Sequence, residues 1–442
     1  MNNQLMKKLW VLADKLRGAF EVTELYKIML YSLLLKYIEQ NKEEMEFYDE
    51  KFSLGYLSLT YGKMVVSNQI CEYMINIERL YNLAPGVLIE TIDTVLYKAD
   101  SDSVRTIFEA INEVDSEELY EFAKTILERM AMQSGKAGGE FYSTNNLVRL
   151  EKAILDTQEG MTVYDAYCGS GLSVNEVADG KGIVFMQDIS VQTIGIAAVM
   201  SILSGNHIGA IRCGDSLQNP LDIEGKYDRI IMEAPFGVKY SPEYLMGIHS
   251  EYVICADVPE SESLAIRHAI AHLKKNGEAL FLVPMGMLFK GGRLGELRKQ
   301  AVEKGYISSV IELPAGIIPS TGIATALVSI HLDKQIDSIY MINAKDCFER
   351  EKRDFVISNE KISELVENLK SRKCIENISA LVSVDDLAKN EYNLCTSQYV
   401  IANPEDNIVI EDTKGLMEQY RQLEAQLQSI DGKLNAIRKN LM

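Results

Sequence analysis

The chain has 442 residues, 47% hydrophobic and 25% charged, and a formal charge of −19 from 45 Lys plus Arg against 64 Asp plus Glu. This composition excludes a disordered, collagen-like or disulfide-scaffold protein, and the length calls for more than one hydrophobic core. The acidic balance excludes a uniformly basic surface, so contact with nucleic acid would need a local basic cleft or a partner that brings positive charge.

Residues 1–134 hold a single proline, Pro85, and apolar residues at helical spacing, as in Ile107, Ile111, Val114, Leu119, Phe122 and Ile126. The pattern predicts an N-terminal helical domain over 1–134. The run Ser134-Gly135-Lys136-Ala137-Gly138-Gly139 breaks it and marks a domain boundary. Beyond it, strand candidates at 163–164, 182–186, 229–232, 279–283, 308–313 and 326–332 alternate with helix-length segments at 191–203, 261–275 and 295–304. Alternation of this kind predicts an α/β fold with a mostly parallel sheet over 135–400, with ligand sites beyond the carboxyl ends of its strands.

The tail, 401–442, carries Leu416, Tyr420, Leu423, Leu427, Ile430, Leu434, Ile437 and Leu441 at alternating spacings of four and three. That is a coiled-coil-like seam, suited to a partner helix or to packing on its own domain. The scattered cysteines lack any C-x-x-C pair, the N-terminus lacks a signal-peptide pattern, and the apolar window at 194–203 is too short to span a bilayer. A cytoplasmic protein without membrane attachment is expected.

The first candidate site is Asp165-Ala166-Tyr167-Cys168-Gly169-Ser170-Gly171, a strand that opens into a G-x-G turn and a helix. Glycines allow close backbone approach, and a helix N-terminus offers free N–H groups. It is no Walker A loop, since no Gly-Lys-Ser/Thr follows. Asp188 ends the next strand, where an acid can accept from ribose hydroxyls, and Gly214-Asp215-Ser216 ends a third, where a carboxylate can receive an exocyclic amine. Upstream, Gly139-Glu140-Phe141-Tyr142-Ser143-Thr144 could close over an amino-acid group. Cys168 is expected to be a small packing residue. His268 and His272 have the i, i+4 spacing of a metal pair but no third ligand, so two solvated histidines and no metal are expected. The basic group Lys290, Arg293, Arg298, Lys299 and Lys304 is expected to be a solvated helix face.

Together these segments resemble the adenine-N6 DNA methyltransferases of the type I restriction-modification class, the S-adenosylmethionine-dependent modification subunits. The resemblance covers roughly residues 100–400 and continues through Leu282-Val283-Pro284, Leu288-Phe289, Leu313-Pro314, Thr321-Gly322-Ile323-Ala324-Thr325 and Asn390-Glu391-Tyr392-Asn393-Leu394. It implies a Rossmann-like methyltransferase sheet. It also implies that Phe141, Tyr142, Ser143, Thr144, Asp165, Gly169, Ser170 and Gly171 surround the cofactor's methionine part. Asp188 would meet the ribose, and Asp215 with Ser216 the adenine amine.

The family's Asn-Pro-Pro-Phe stands here as Glu233-Ala234-Pro235-Phe236. In the family, a side-chain oxygen and a backbone carbonyl accept the hydrogens of the adenine amine while the aromatic ring stacks on the flipped base. The implied function is methylation of adenine N6 in DNA, with a separate specificity subunit and a restriction subunit or second copy as further partners through the tail. The altered motif leaves two other readings open. One is a catalytically degenerate subunit that binds cofactor, DNA or a partner; the other is methylation of a different amine.

Overall fold

A computed structural model of the chain describes residues 22–400 apart from 63–64, 99, 134–142, 223, 249–257, 319–321, 333–335 and 352–353, together with positions 7, 10, 11, 13 and 14. The expected break at 134–139, the residues Phe141 and Tyr142, and the heptad seam of the tail lie outside the described residues.

The N-terminal segment is helical, through Val22–Gln40, Leu54–Thr60, Val65–Leu80, Ile89–Lys98, Ser101–Asn112 and Leu119–Gln133. The sequence dictates these starts locally: the Asp100 side chain accepts from Ser103 N at 2.9 Å, which satisfies one of the orphan donors of a helix N-terminus. The apolar stripes of these helices meet in a core that includes Met29, Leu33, Ile77, Ile107, Phe108 and Ile126.

Downstream lie strands β1 (Thr162–Asp165), β2 (Ile183–Asp188), β3 (His207–Cys213), β4 (Tyr227–Met232), β5 (Leu273–Pro284), β6 (Ile307–Glu312), β7 (Thr325–Ile330), β8 (Ser338–Asn343), the short β9 (Glu349–Glu351) and β10 (Asp354–Val356), and β11 (Ser379–Ser383). All but β9 and β10 form one nine-stranded sheet in the order β11-β8-β6-β7-β5-β4-β1-β2-β3. The run β3-β2-β1-β4-β5 is parallel throughout, β7 enters antiparallel between β5 and β6, and β8 and β11 extend the far edge. Side chains alternate across the sheet as a period of two requires: Val163, Ile231, Leu280 and Leu282 enter one core. Tyr164, Ile230, Met232, Ala279, Phe281 and Val283 enter the other.

The helix Val191–Ser204 explains how the two halves join. From Thr193 to Leu203 it is buried all round because it lies between the sheet and the N-terminal helices, and a helix so buried carries no polar stripe. Gly195 marks the closest approach: a Cβ there would sit 2.0 Å from Thr91 Oγ1. The Thr91 hydroxyl uses that space to donate to Val191 O at 3.0 Å.

Two expectations are corrected. His268 and His272 are buried, not solvated, because the helix Ser261–His272 is covered on nearly every face. The His268 ring pairs with the Tyr164 hydroxyl at 2.9 Å and stacks on His272 with centroids 4.2 Å apart. The helix also ends earlier than expected, since Leu273 already belongs to β5. Arg298 is likewise buried, and its guanidinium donates to the carbonyls of Tyr392, Met287 and Lys290 at 3.1, 3.0 and 2.6 Å. It staples the 390–394 segment to the helix Arg293–Glu303, whereas Lys290, Arg293 and Lys304 are exposed as expected.

Candidate active site at the carboxyl edge of the sheet

Because β4, β1, β2 and β3 are parallel neighbours, the residues that follow them emerge along one edge. The glycine loop follows β1, Asp188 closes β2, Asp215 follows β3, and the Glu233-Ala234-Pro235-Phe236 motif follows β4. Adjacent strands lie about 4.8 Å apart, so this edge brings groups far apart in sequence within the span of one nucleoside-sized ligand.

The glycine loop is built by local constraint. Gly171 has φ +75°, and a Cβ there would stand 3.0 Å from the Ala197 Cβ, so both conformation and space require glycine. Asp188 folds the loop against β2: one carboxylate oxygen accepts from Gly169 N at 2.9 Å. The other accepts from Ser190 N at 2.8 Å and from the Thr193 hydroxyl at 3.1 Å. Asp165 accepts from Tyr167 N at 2.9 Å, and burial holds its carboxyl well above the usual range, against the pull of that hydrogen bond. Ser170 and Ser216 are buried, and Cys168 is a buried packing residue whose thiol burial pushes up.

Asp215 is engaged by a residue that no local pattern flagged. The Tyr244 hydroxyl, from the short helix Pro242–Met246, lies 2.9 and 2.7 Å from its two oxygens. Leu217 N donates to Asp215 as well, at 3.0 Å. Tyr244 in turn stacks on Tyr240, with centroids 4.3 Å apart.

The motif after β4 is fixed from two sides. Glu233 Oε1 accepts from the Ser143 hydroxyl at 2.5 Å and from the Ser173 hydroxyl at 3.0 Å. The Ser261 hydroxyl donates to Pro235 O, and Gly237 N donates to Glu262 Oε1 at 2.7 Å. Ala234 is buried, Pro235 exposed and Phe236 half-buried. Thr144 is occupied as the cap of the helix Asn145–Leu155, accepting from Leu147 N at 3.4 Å. Burial raises the Glu233 carboxyl above its ordinary value, and the two serine hydroxyls work against that rise.

Sequence reasoning passed over Glu151, which has no solvent exposure and whose two carboxylate oxygens have no hydrogen-bond partner among the described residues. Burial, with the charges of Glu233 and Asp165 added, holds its carboxyl well above the usual range. A signal was available: position 151 falls on the apolar stripe of Leu147, Val148, Ile154 and Leu155, where an acid has no ordinary place. Ile189, 72% exposed beside Asp188, was missed for the opposite reason, an apolar side chain left in solvent at the site's rim.

The fold and the order of these elements define a Rossmann-like methyltransferase. Residues 115–407 match the family described as N-6 DNA Methylase, and the chain belongs to that family. Among its relatives, the methylase subunit of the type I restriction enzyme MpnII of Mycoplasma pneumoniae is 21% identical, over 91% of this chain and 90% of that one. The MjaIX methylase subunit of Methanocaldococcus jannaschii is 23% identical, over 93% and 86%. The solved methyltransferase subunit of the type I restriction-modification system of Streptococcus thermophilus superposes with a TM-score of 0.69 at 21% identity, covering 91% of this chain and all of that one.

Proposed function

We propose that this chain is the modification subunit of a type I-like restriction-modification system, a cytoplasmic protein that binds S-adenosylmethionine and DNA and methylates adenine at N6. The observation that carries this reading is the convergence, on one sheet edge, of the glycine loop, Asp165, Asp188, Asp215 and the motif at 233–236. Membership of the N-6 DNA methylase family, over most of the chain, supports the same reaction.

The cofactor's chemistry fits these residues. Of the groups that S-adenosylmethionine presents, the sulfonium, the ammonium, the ribose hydroxyls and the exocyclic amine are cations or donors, and the edge presents carboxylates. Asp188 uses three acceptor positions within the protein, and a carboxylate has about four, which leaves room for a ribose hydroxyl. The 169–171 loop, with Ser170 and the 141–144 segment, would hold the methionine part, and Asp215 with Ser216 the adenine amine. When bound, the cofactor supplies an electrophilic methyl group.

The chain's own residues orient the acceptor. Adenine must leave the duplex to reach the edge, and Phe236 offers a face on which a flipped base can stack. Glu233 and the Ala234 carbonyl would accept the two amine hydrogens. Ser261 and Glu262 hold the motif loop in place, which matters because a misplacement of about 1 Å can cost on the order of 100-fold in rate. With a charge of −19, the subunit needs a more basic partner for tight DNA binding, and a separate specificity subunit fits that need. The heptad positions 423, 427, 430 and 434 are the proposed docking seam for that subunit, a restriction subunit or a second copy.

The test is titration of the chain with S-adenosylmethionine by calorimetry, followed by incubation with unmethylated DNA and the cognate specificity subunit. Micromolar binding and N6-methyladenine in the DNA are expected. Binding without any methylated base would favour the degenerate reading.

A further inference from the structure

Glu151 and Glu233 are neighbouring acids, and among the described residues neither forms an ion pair. Glu151 lies on the helix Asn145–Leu155, fully buried and without a hydrogen-bond partner among the described residues. The groups that face it are Glu233 from the motif, Asp165 from the end of β1 and Ser173 from the helix after the glycine loop. Several cations on the surrounding elements are engaged elsewhere, among them Arg229 of β4, which donates to the carbonyls of Leu155 and Asp228. Lys152 pairs with Asp179, and Arg149 donates to Asn146, Ile357 and Asn359. Lys274 of β5 pairs with Asp228, and Glu278 of β5 faces His331. On the helix Asn359–Ser371, Lys370 pairs with Asp156 and Lys361 with Glu364.

Two neighbouring carboxylates in such surroundings cannot both stay ionised, and the environments of the two differ. Glu233 has two hydroxyl donors on Oε1, which favour its charged form, and it is part-exposed. Glu151 is fully buried, and the Ser173 hydroxyl that faces it donates to Glu233 instead.

We propose that Glu151 is held as a neutral acid so that the single negative charge of the pair resides on Glu233, which accepts the proton that leaves adenine N6 as the methyl group is transferred. This rests on the methyl transfer proposed above. The nitrogen lone pair forms the N–CH3 bond, and the S–CH3 bond breaks with its electron pair going to sulfur, which becomes a neutral thioether. The proton lost by N6 moves to the Glu233 carboxylate, leaving a neutral acid that returns it to water. Atoms and charges balance: a sulfonium and a carboxylate are consumed, a thioether and a carboxylic acid are formed. An asparagine at position 233 could accept the amine's hydrogen bond but not its proton. Glu151 is therefore a positioning residue, and Glu233 a catalytic one.

The experiment has two readouts on the full-length chain. The first needs no cofactor: melting temperature against pH for wild type and Glu151→Gln. A carboxyl raised in the folded state loses stability as pH climbs from its unfolded value, about 4.3, toward its folded value, so Glu151→Gln should gain on wild type progressively as pH rises above about 5. A difference that does not change with pH overturns the neutral-acid assignment. The second is methyl transfer with the specificity subunit. Glu233→Gln should lower kcat by about 100-fold and remove its acidic limb, while affinity for S-adenosylmethionine stays within about threefold. Methylation by Glu233→Gln at the wild-type rate and with the wild-type pH profile overturns the base role and leaves the proposed function standing. Wild type that never methylates DNA, with the widening stability difference intact, overturns both the base role and the proposed function while retaining the neutral Glu151.

Discussion

The Tyr244 hydroxyl sits within hydrogen-bond distance of both carboxylate oxygens of Asp215, at 2.9 and 2.7 Å. With its single proton it takes up one of the acceptor positions that the adenine amine proposed above would share. A hydrogen bond to a charged group contributes about 1.5–3 kcal/mol, so a ligand that must share or displace it binds less tightly. Tyr244→Phe should tighten S-adenosylmethionine binding several-fold, and Asp215→Ala should weaken it by about 10- to 100-fold. Calorimetric titration of both variants checks the pair. Equal affinities in all three proteins would remove Asp215 from the cofactor site.

Asp188 has a structural and a proposed ligand role, and the two are separable. Asp188→Ala removes the acceptor for Gly169 N, Ser190 N and the Thr193 hydroxyl, and should lower stability by about 2–4 kcal/mol as buried donors lose their partner. Asp188→Asn keeps one oxygen and should recover part of that stability while cofactor affinity stays depressed. Chemical denaturation beside titration distinguishes the roles.

Acidification should weaken the fold through the buried histidines. Burial, with His272 adding repulsion, holds the His268 imidazole well below its usual value, and burial lowers His272 as well. The unfolded chain takes up these protons near pH 6.5 and the native state does not, so their contribution is present above about pH 6.5 and is lost as pH falls toward the folded values. The slope is at most about 1.4 kcal/mol per pH unit for each histidine. His268→Gln should show a shallower loss between about pH 6.5 and pH 5.5 in urea denaturation.

Removal of residues 412–442 separates the two uses of the heptad seam. Loss of association with the specificity subunit, with an unchanged melting temperature for the rest of the chain, is expected from gel filtration and calorimetry. Unfolding of the rest would identify the tail as an intramolecular brace.

Much of this was legible because it is written locally. Strand candidates such as 229–232 and 279–283 fall inside β4 and β5, and the acids at strand ends gather on one edge because parallel strands share a direction. What was not legible depends on contacts across long separations. The Ser173–Glu233 and Tyr244–Asp215 bonds join segments that no spacing rule relates. The two histidines look like surface residues on a weakly patterned helix until the sheet and its neighbours cover every side. The insertion of β7 between β5 and β6 is a topological choice that apolar runs do not encode. Glu151 is the instructive case: it falls on the apolar stripe of its helix, but its charge argues for the outside, and it was passed over.

Transfer of a labelled methyl group is the most direct measurement of the central claim. Wild-type chain, the specificity subunit, unmethylated DNA and methyl-labelled S-adenosylmethionine are incubated, the DNA is digested to nucleosides, and the labelled nucleoside is identified by mass. Glu233 as an active acceptor predicts label in N6-methyldeoxyadenosine, and a lower yield when Glu233→Asn and Ala234→Pro are introduced together. DNA that stays unlabelled with wild type but gains label with that double variant would contradict it, and would mark the natural motif as a lost catalytic site.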